Sequence, residues 1–168
     1  NYNEPEGGWK WVSPSDVTST YSEIYVELYK NNTLLEIYNQ TLSFTGDNAS
    51  FNFNININAE LAKYSVKIYA TTEEGTSLSR EINDIVSGDV YIVQGQSNAE
   101  APSYNGSSNE YEDDFIRVYA NGTANSEGAL NNNEWYYGQG DGNANSNGNT
   151  GQWGLVLAKK LVDELNIP

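Results

Sequence analysis

The stretch Gly88-Asp89-Val90-Tyr91-Ile92-Val93-Gln94-Gly95-Gln96-Ser97-Asn98-Ala99-Glu100 decides how the chain is divided. Val90 to Val93 are β-branched or aromatic without a polar interruption, and they run into a turn of glycine and amide side chains. An unbroken apolar run bounded by turn residues predicts a strand covered on both faces, as in a parallel sheet, whereas a half-buried strand alternates. A serine in such a turn, Ser97, stands at the end of the strand, where a side chain is free to meet a ligand.

Upstream of this run the period is two. Ile24, Val26 and Leu28 alternate with Tyr25, Glu27 and Tyr29 as far as the Asn31-Asn32 turn. Leu34 to Tyr38 and Leu42 to Phe44 give further short strands, and Gly46-Asp47-Asn48 gives the next turn. Phe51, Phe53, Ile55 and Ile57 alternate strictly with Asn52, Asn54, Asn56 and Asn58, which predicts a strand with one core face and one wet face. Tyr64, Val66, Ile68 and Ala70 repeat the pattern, and Glu73-Glu74-Gly75 turns the chain into a last run around Leu78 to Ile82. Closely spaced strands with no helical period predict an antiparallel β-sandwich, Ig-like or jelly-roll-like, as a first module over residues 1–87. Trp9 and Trp11 share a side if their segment is extended, and suit either an edge strand pinned on that core or a pair of sugar-stacking rings.

Downstream, residues 88–168 read as the start of a three-layer α/β domain of flavodoxin-like type. Phe115 to Tyr119 is a second strand, and residues 121–152 form a long loop of Asn, Gly and Ser. Within it Asp141-Gly142-Asn143-Ala144-Asn145-Ser146-Asn147 superficially resembles a calcium loop. It has a single carboxylate, Ser146 where the glycine belongs and Gln152 where a bidentate Glu is wanted, so no metal or other cofactor is expected. Leu155, Leu157, Ala158, Leu161, Val162 and Leu165 recur at helical spacing and predict an amphipathic helix from about Gly154 to Asn166.

Composition narrows the chemistry. The 168 residues include 8 basic and 23 acidic side chains, a net charge of -15, which repels nucleic-acid phosphate and anionic membrane surfaces. No apolar run is long enough to span a bilayer, so membrane insertion is not expected. Cysteine is absent, which removes disulfides and thiolate chemistry, and histidine is absent, which removes the usual base for activating a serine near neutral pH. The absence of methionine, even at position 1, suggests a processed or excised chain. Abundant Asn, Gly, Ser, Thr and Tyr without Cys suggest a secreted or cell-surface protein of bacterial type. The sequons at Asn31, Asn39, Asn48, Asn105 and Asn121 are either acceptors or chance matches in an Asn-rich chain.

Gly88-Asp89-Val90-Tyr91 followed by Gly95-Gln96-Ser97-Asn98 resembles the first signature block of the sialate O-acetylesterase family, carbohydrate esterases of the SGNH hydrolase type. Tyr91 stands where the family has Trp, and Ala99 where it has Met. Gly151-Gln152-Trp153-Gly154-Leu155-Val156-Leu157-Ala158 through Leu165-Asn166-Ile167-Pro168 resembles the second block. The resemblance implies hydrolysis of acetyl esters on an acetylated carbohydrate, with Ser97 as nucleophile. It also implies an oxyanion hole built from the Ser97 N–H and that of Gly154, with Gly151 as second choice, and a turn shaped by Gln96 and Asn98. Fixed N–H donors and a side-chain-free approach are what a developing tetrahedral oxyanion needs. The family's third block and its late Asp-x-x-His segment have no counterpart here. The reading is therefore the N-terminal portion of an esterase, inactive alone, whose remaining machinery lies on a further C-terminal segment or another chain. The alternatives are a non-catalytic extracellular assembly module and a carbohydrate-binding β-sandwich.

Overall fold

The computed structural model describes residues 20–93, 107–119, 134–141 and 147–168. Contacts divide the chain into two compact units, one of residues up to Ile57 together with Ala62–Ile85, the other of Asn58–Leu61 together with Val86–Pro168.

The first unit is β-rich and antiparallel. Its main sheet has four strands, β1 (Glu23–Lys30), β2 (Thr33–Thr41), β5 (Tyr64–Thr72) and β6 (Gly75–Ile85), in the order β2-β1-β5-β6. A two-residue hairpin, β3 (Phe44–Thr45) with β4 (Asn48–Ala49), interrupts the sequence between β2 and β5. The β1–β2 turn places Asn31 and Asn32 at φ 48° and 63°, the left-handed pair that a tight hairpin requires and asparagine tolerates. Register carries the alternation into packing: Ile24 faces Ala70, Val26 faces Ile68 and Leu28 faces Val66, so one face of the central β1–β5 pair is apolar. Leu28, Ala62 and Tyr64 form its buried centre, with Tyr38, Ile55, Ile57, Val66 and Ile85 packed around them.

The opposite face is a ladder of tyrosines and charges. Tyr25 stacks on Tyr69 with ring centroids 4.6 Å apart, Lys67 lies over the Tyr29 ring, and Lys67 pairs with Glu81 at 3.7 Å. Tyr29 donates to the Glu27 carboxylate (2.7 Å), and this bond pushes the phenol pKa up to about 12.

Residues 51–57 differ from expectation. Their burial alternates as the sequence requires, Phe51, Phe53, Ile55 and Ile57 inward and the asparagines outward, yet they form no ladder. The Asn52 N–H instead finds the Gln40 side chain (3.1 Å), and Ile55 and Ile57 pack across the apolar sheet face. Alternation reports which side is buried, and it is silent on whether a neighbouring strand is there to pair with.

The second unit has a small core in which Ile116, Leu155 and Val162 are buried, with Leu61, Tyr111, Phe115 and Ala158 against them. Strands β7 (Arg117–Tyr119) and β8 (Trp135–Tyr137) pair antiparallel, and the helix α1 spans Gln152–Leu165. Strand β8 falls inside the stretch read as one continuous loop; the aromatic run Trp135-Tyr136-Tyr137 is the strand signal that the surrounding Asn and Gly residues obscured. Arg117 holds the ribbon by lying over the Tyr137 ring, 4.0 Å from its centroid, while donating to the Asp114 carbonyl. Helix α1 begins after Gly151 at φ 73° and ends at Asn166 at φ 58°, whose N–H bonds Val162 O at 2.9 Å. Lys159 pairs with Asp163 one turn on and with Asp113 at 3.7 Å, tying the helix to the segment before β7. Hydrogen bonding to Asp163 raises the Lys159 pKa.

Val90 to Val93 do not behave as a covered strand. They pair with no strand among the described residues, and Val90 and Ile92 are 72% and 88% exposed. An apolar run is stable as an interior strand only where neighbours bury both faces, and among the described residues no strand or helix does so. The sheet pairings of the described residues are antiparallel apart from a single parallel bridge, Gln139 with Asn149, and none of the described helices is long and apolar enough to cross a membrane.

Candidate functional site

Gln96, Ser97 and Asn98 lie outside the described residues, as do Trp9 and Trp11. Gly154 is buried in the first turn of α1. Its N–H lies ahead of the first intrahelical bond, which Leu155 N–H makes to Gly151 O (3.1 Å), so it belongs to the donors that a helix start leaves for other acceptors. A Cβ at this position would come 2.8 Å from Thr150 Oγ1. Gly151, three residues earlier, has the backbone conformation that demands glycine. Its N–H is engaged by Asn149 Oδ1 (3.1 Å), and Asn149 is buried. Of the two glycines, Gly151 has its N–H taken by Asn149 and sets the direction in which the helix starts, while the Gly154 N–H stands in the first helical turn.

The centre of polar order in this unit is Asp141, which sequence reading noticed only as an inadequate calcium ligand. Its carboxylate accepts from the Ser108 N–H (2.9 Å), the Ser108 hydroxyl (3.1 Å), the Asn109 N–H (3.2 Å) and Gln152 Nε2 (2.9 Å), and from the Ser107 hydroxyl. In return Asn109 Oδ1 accepts from the N–H groups of Gly140 and Asp141, each at 3.2 Å. This reciprocal clamp joins three pieces of chain: the Ser107–Tyr111 turn, the Gly140-Asp141 bend and the first residue of α1. The hydrogen bonds, that from Ser107 foremost, hold the Asp141 carboxyl well below the usual carboxylate range. No cluster of three or more acidic, His or Cys side chains suited to a metal occurs among the described residues. The signal that could have found the clamp is Ser107-Ser108-Asn109, short polar side chains that bond nearby backbone and cap turns.

A depressed native pKa stabilises the folded state at neutral pH, and that contribution is lost as pH falls below the ordinary carboxylate value and through the native one. Amide resonances of Ser108 and Asn109 are therefore expected to hold their bonded positions through the ordinary carboxylate range, about pH 4, and to shift only well below it. In Asp141→Asn the same amides should be shifted already at neutral pH and show no such step. A step of equal size in the variant would mean that another carboxylate holds the turn.

Ser107 and Ser108 face α1 across an open groove of about 530 Å³ whose other side carries Trp153, Leu157 and Lys160. The floor is fixed because Asp141 holds Ser107 and Gln152 from behind.

Comparison with protein-family models, with curated proteins and with solved structures finds no match to the chain.

Proposed function

We propose that the chain is the front portion of an extracellular carbohydrate O-acetylesterase, with the second unit as the opening of an α/β domain. Ser97 Oγ attacks the acetyl carbonyl, the sugar hydroxyl leaves, and water releases acetate from the acetyl-serine. Gly154 N–H, together with that of Ser97, is assigned to the oxyanion. With no histidine in the chain, the base comes from residues outside this sequence.

The observation carrying this reading is that the apolar run preceding the Gly95-Gln96-Ser97-Asn98 sequence starts against the residues that follow α1. Asp89 N–H donates to Pro168 O (3.1 Å), and a side chain on Gly88 would collide with that carbonyl. A chain that returns from α1 to the start of the run is what a helical crossover between neighbouring parallel strands requires, and this supports the reading. The exposed Val90 and Ile92 are what such a strand leaves bare when the rest of its sheet is supplied from elsewhere. The same exposed run favours the second reading, a non-catalytic module that docks on a partner.

Mass spectrometry of the natural protein separates the two: a polypeptide that also contains an Asp-x-x-His segment supports the esterase, and a mature chain without one overturns it. In that complete enzyme Ser97→Ala is expected to lower kcat on acetylated xylan by about 10³-fold or more. The 168-residue chain alone should give no serine-dependent turnover. Turnover by this chain that Ser97→Ala abolishes would show that the base lies within it.

A further inference from the structure

We propose that Tyr25 and Tyr69, stacked across the two central strands of the first unit, are a site of oxidative coupling that hydrogen peroxide and a haem peroxidase close into a dityrosine, stapling β1 to β5. The two residues stand directly opposite each other in the antiparallel register. Their ring centroids are 4.6 Å apart and their planes are inclined by 10°, so the rings lie face against face. Both residues are half-buried: the strands hold them in place while part of each stays open to an oxidant.

Composition directs oxidation to the aromatic rings. Sulfur side chains ordinarily take the first oxidising equivalents, and the chain has no Cys and no Met, against 13 Tyr and 4 Trp. A disulfide cannot form, whereas a carbon–carbon bond between two tyrosines in contact can. Tyr29, on the same sheet face, is set apart from the pair. It stands opposite Ser65, its hydroxyl donates to Glu27 (2.7 Å), and the Lys67 ammonium lies 5.1 Å from its ring centroid, where a positive charge opposes removal of an electron.

The chemistry balances within the pair and one peroxide. Each phenol loses one electron and one proton to become a phenoxyl radical. Tyr69 is hydrogen-bonded to Glu27, whose carboxylate receives that proton, and the Tyr25 proton passes to water. Burial first, and Glu27 second, raise the pKa of both phenols, so each reacts from its neutral form at neutral pH. The unpaired electron of a phenoxyl resides partly on the ring carbons beside the oxygen-bearing one, in orbitals perpendicular to the ring. Stacked rings aim these orbitals at each other. A Cε–Cε bond forms, the two hydrogens on those carbons leave as protons, and each oxygen regains one, restoring both phenols. The net loss is two hydrogen atoms, with which one hydrogen peroxide becomes two waters.

Treating the whole chain at about 1 µM with a haem peroxidase and limiting hydrogen peroxide tests this, because a pair already in contact then reacts about 10³-fold ahead of two separate molecules. Dityrosine is expected in the monomer fraction, as one linked pair of peptides that carry Tyr25 and Tyr69 and weigh two hydrogen atoms less than their sum. Tyr25→Phe and Tyr69→Phe keep the rings and should each lower this product about tenfold or more, whereas Tyr29→Phe should leave it unchanged. Amide spectra of each variant establish that it is folded. The linked monomer should need about 0.5 M more guanidinium to unfold β1 and β5, since the new bond closes a long loop in the unfolded chain. Dityrosine confined to dimers, a monomer linked through other tyrosines, full product in either folded Phe variant of the pair, or a midpoint that does not rise overturns the staple. Ser97→Ala should couple as the parent does, so loss of the esterase reading leaves this result standing.

Discussion

Leu155→Ala is expected to cost the second unit about 2–5 kcal/mol, enough to unfold it at ambient temperature while the first unit stays folded. Leu155 has no exposed surface and sits between Ile116 and Val162, the other two buried residues of its cluster. Removing three carbons there forfeits their transfer energy and leaves a cavity. The site collapses poorly because Gly138 and Gly140 bring backbone against it: a Cβ on Gly138 would lie 3.4 Å from Leu155 Cδ1, and one on Gly140 would lie 3.1 Å from Leu155 Cδ2. Two-dimensional amide spectra read the outcome residue by residue. Resonances from residues 107–119 and 147–168 should collapse to random-coil positions, while those from β1, β2, β5 and β6 persist, since their core of Leu28, Ala62 and Tyr64 is made of different residues. Retention of dispersed signals from α1 with a loss under ~1 kcal/mol would mean that the Ile116–Leu155–Val162 cluster is not what holds this unit together.

The contrast between the units also explains how far the sequence could be read. In the first unit β1 reports its own burial through a period of two, so Ile24, Val26 and Leu28 announce both the strand and the face, and Asn31-Asn32 and Glu73-Glu74-Gly75 announce the turns. The unpaired state of residues 51–57 was not legible, because pairing depends on what lies alongside a strand, and the alternation of Phe51 to Ile57 is the same with or without it. Helix α1 was legible by its apolar stripe, two residues short at its start because Gln152 and Trp153 precede the first buried leucine. Val90 to Val93 were misread as to exposure for a related reason: an apolar run states a requirement for cover, and the cover belongs to other residues. At the candidate site, Gly154 is implied by the resemblance of the segment from Gly151, and its position at the head of a helix follows from the stripe that Leu155 begins. The Asp141 clamp was invisible because its partners, Ser107, Ser108, Asn109 and Gln152, come from two segments on either side of it in sequence. Long-range side-chain bonds of this kind have no period, and a lone Asp among Asn and Gly reads as loop.

Gly148→Ala should be the most damaging of the single-methyl additions, since space and backbone conformation both forbid the new group. Gly148 has φ 78°, where an L side chain costs about 1–2 kcal/mol, and its Cβ would collide with the Tyr137 carbonyl oxygen at the end of β8. That obstacle is backbone, so relief requires one chain to move away from the other. Gly148 O accepts from Gln139 N–H (2.9 Å) and Gln139 O accepts from Thr150 N–H (2.9 Å), so the movement breaks the two bonds that align residues 147–150 beside β8. Asn149 then no longer presents Oδ1 to Gly151 N–H, and the start of α1, with Gln152 and Trp153, loses its placement. A total cost of about 3 kcal/mol or more is expected, read as a lowered midpoint of unfolding by denaturant. Gly46→Ala is the matched control: Gly46 has φ 62° in the β3–β4 turn and nothing lies within 4 Å of its would-be Cβ, so only the conformational cost of about 1–2 kcal/mol is expected. Conformation alone would make the two variants similar. A large difference between them locates the damage in the approach of Gly148 to β8, and through it ties the strand ribbon to the groove.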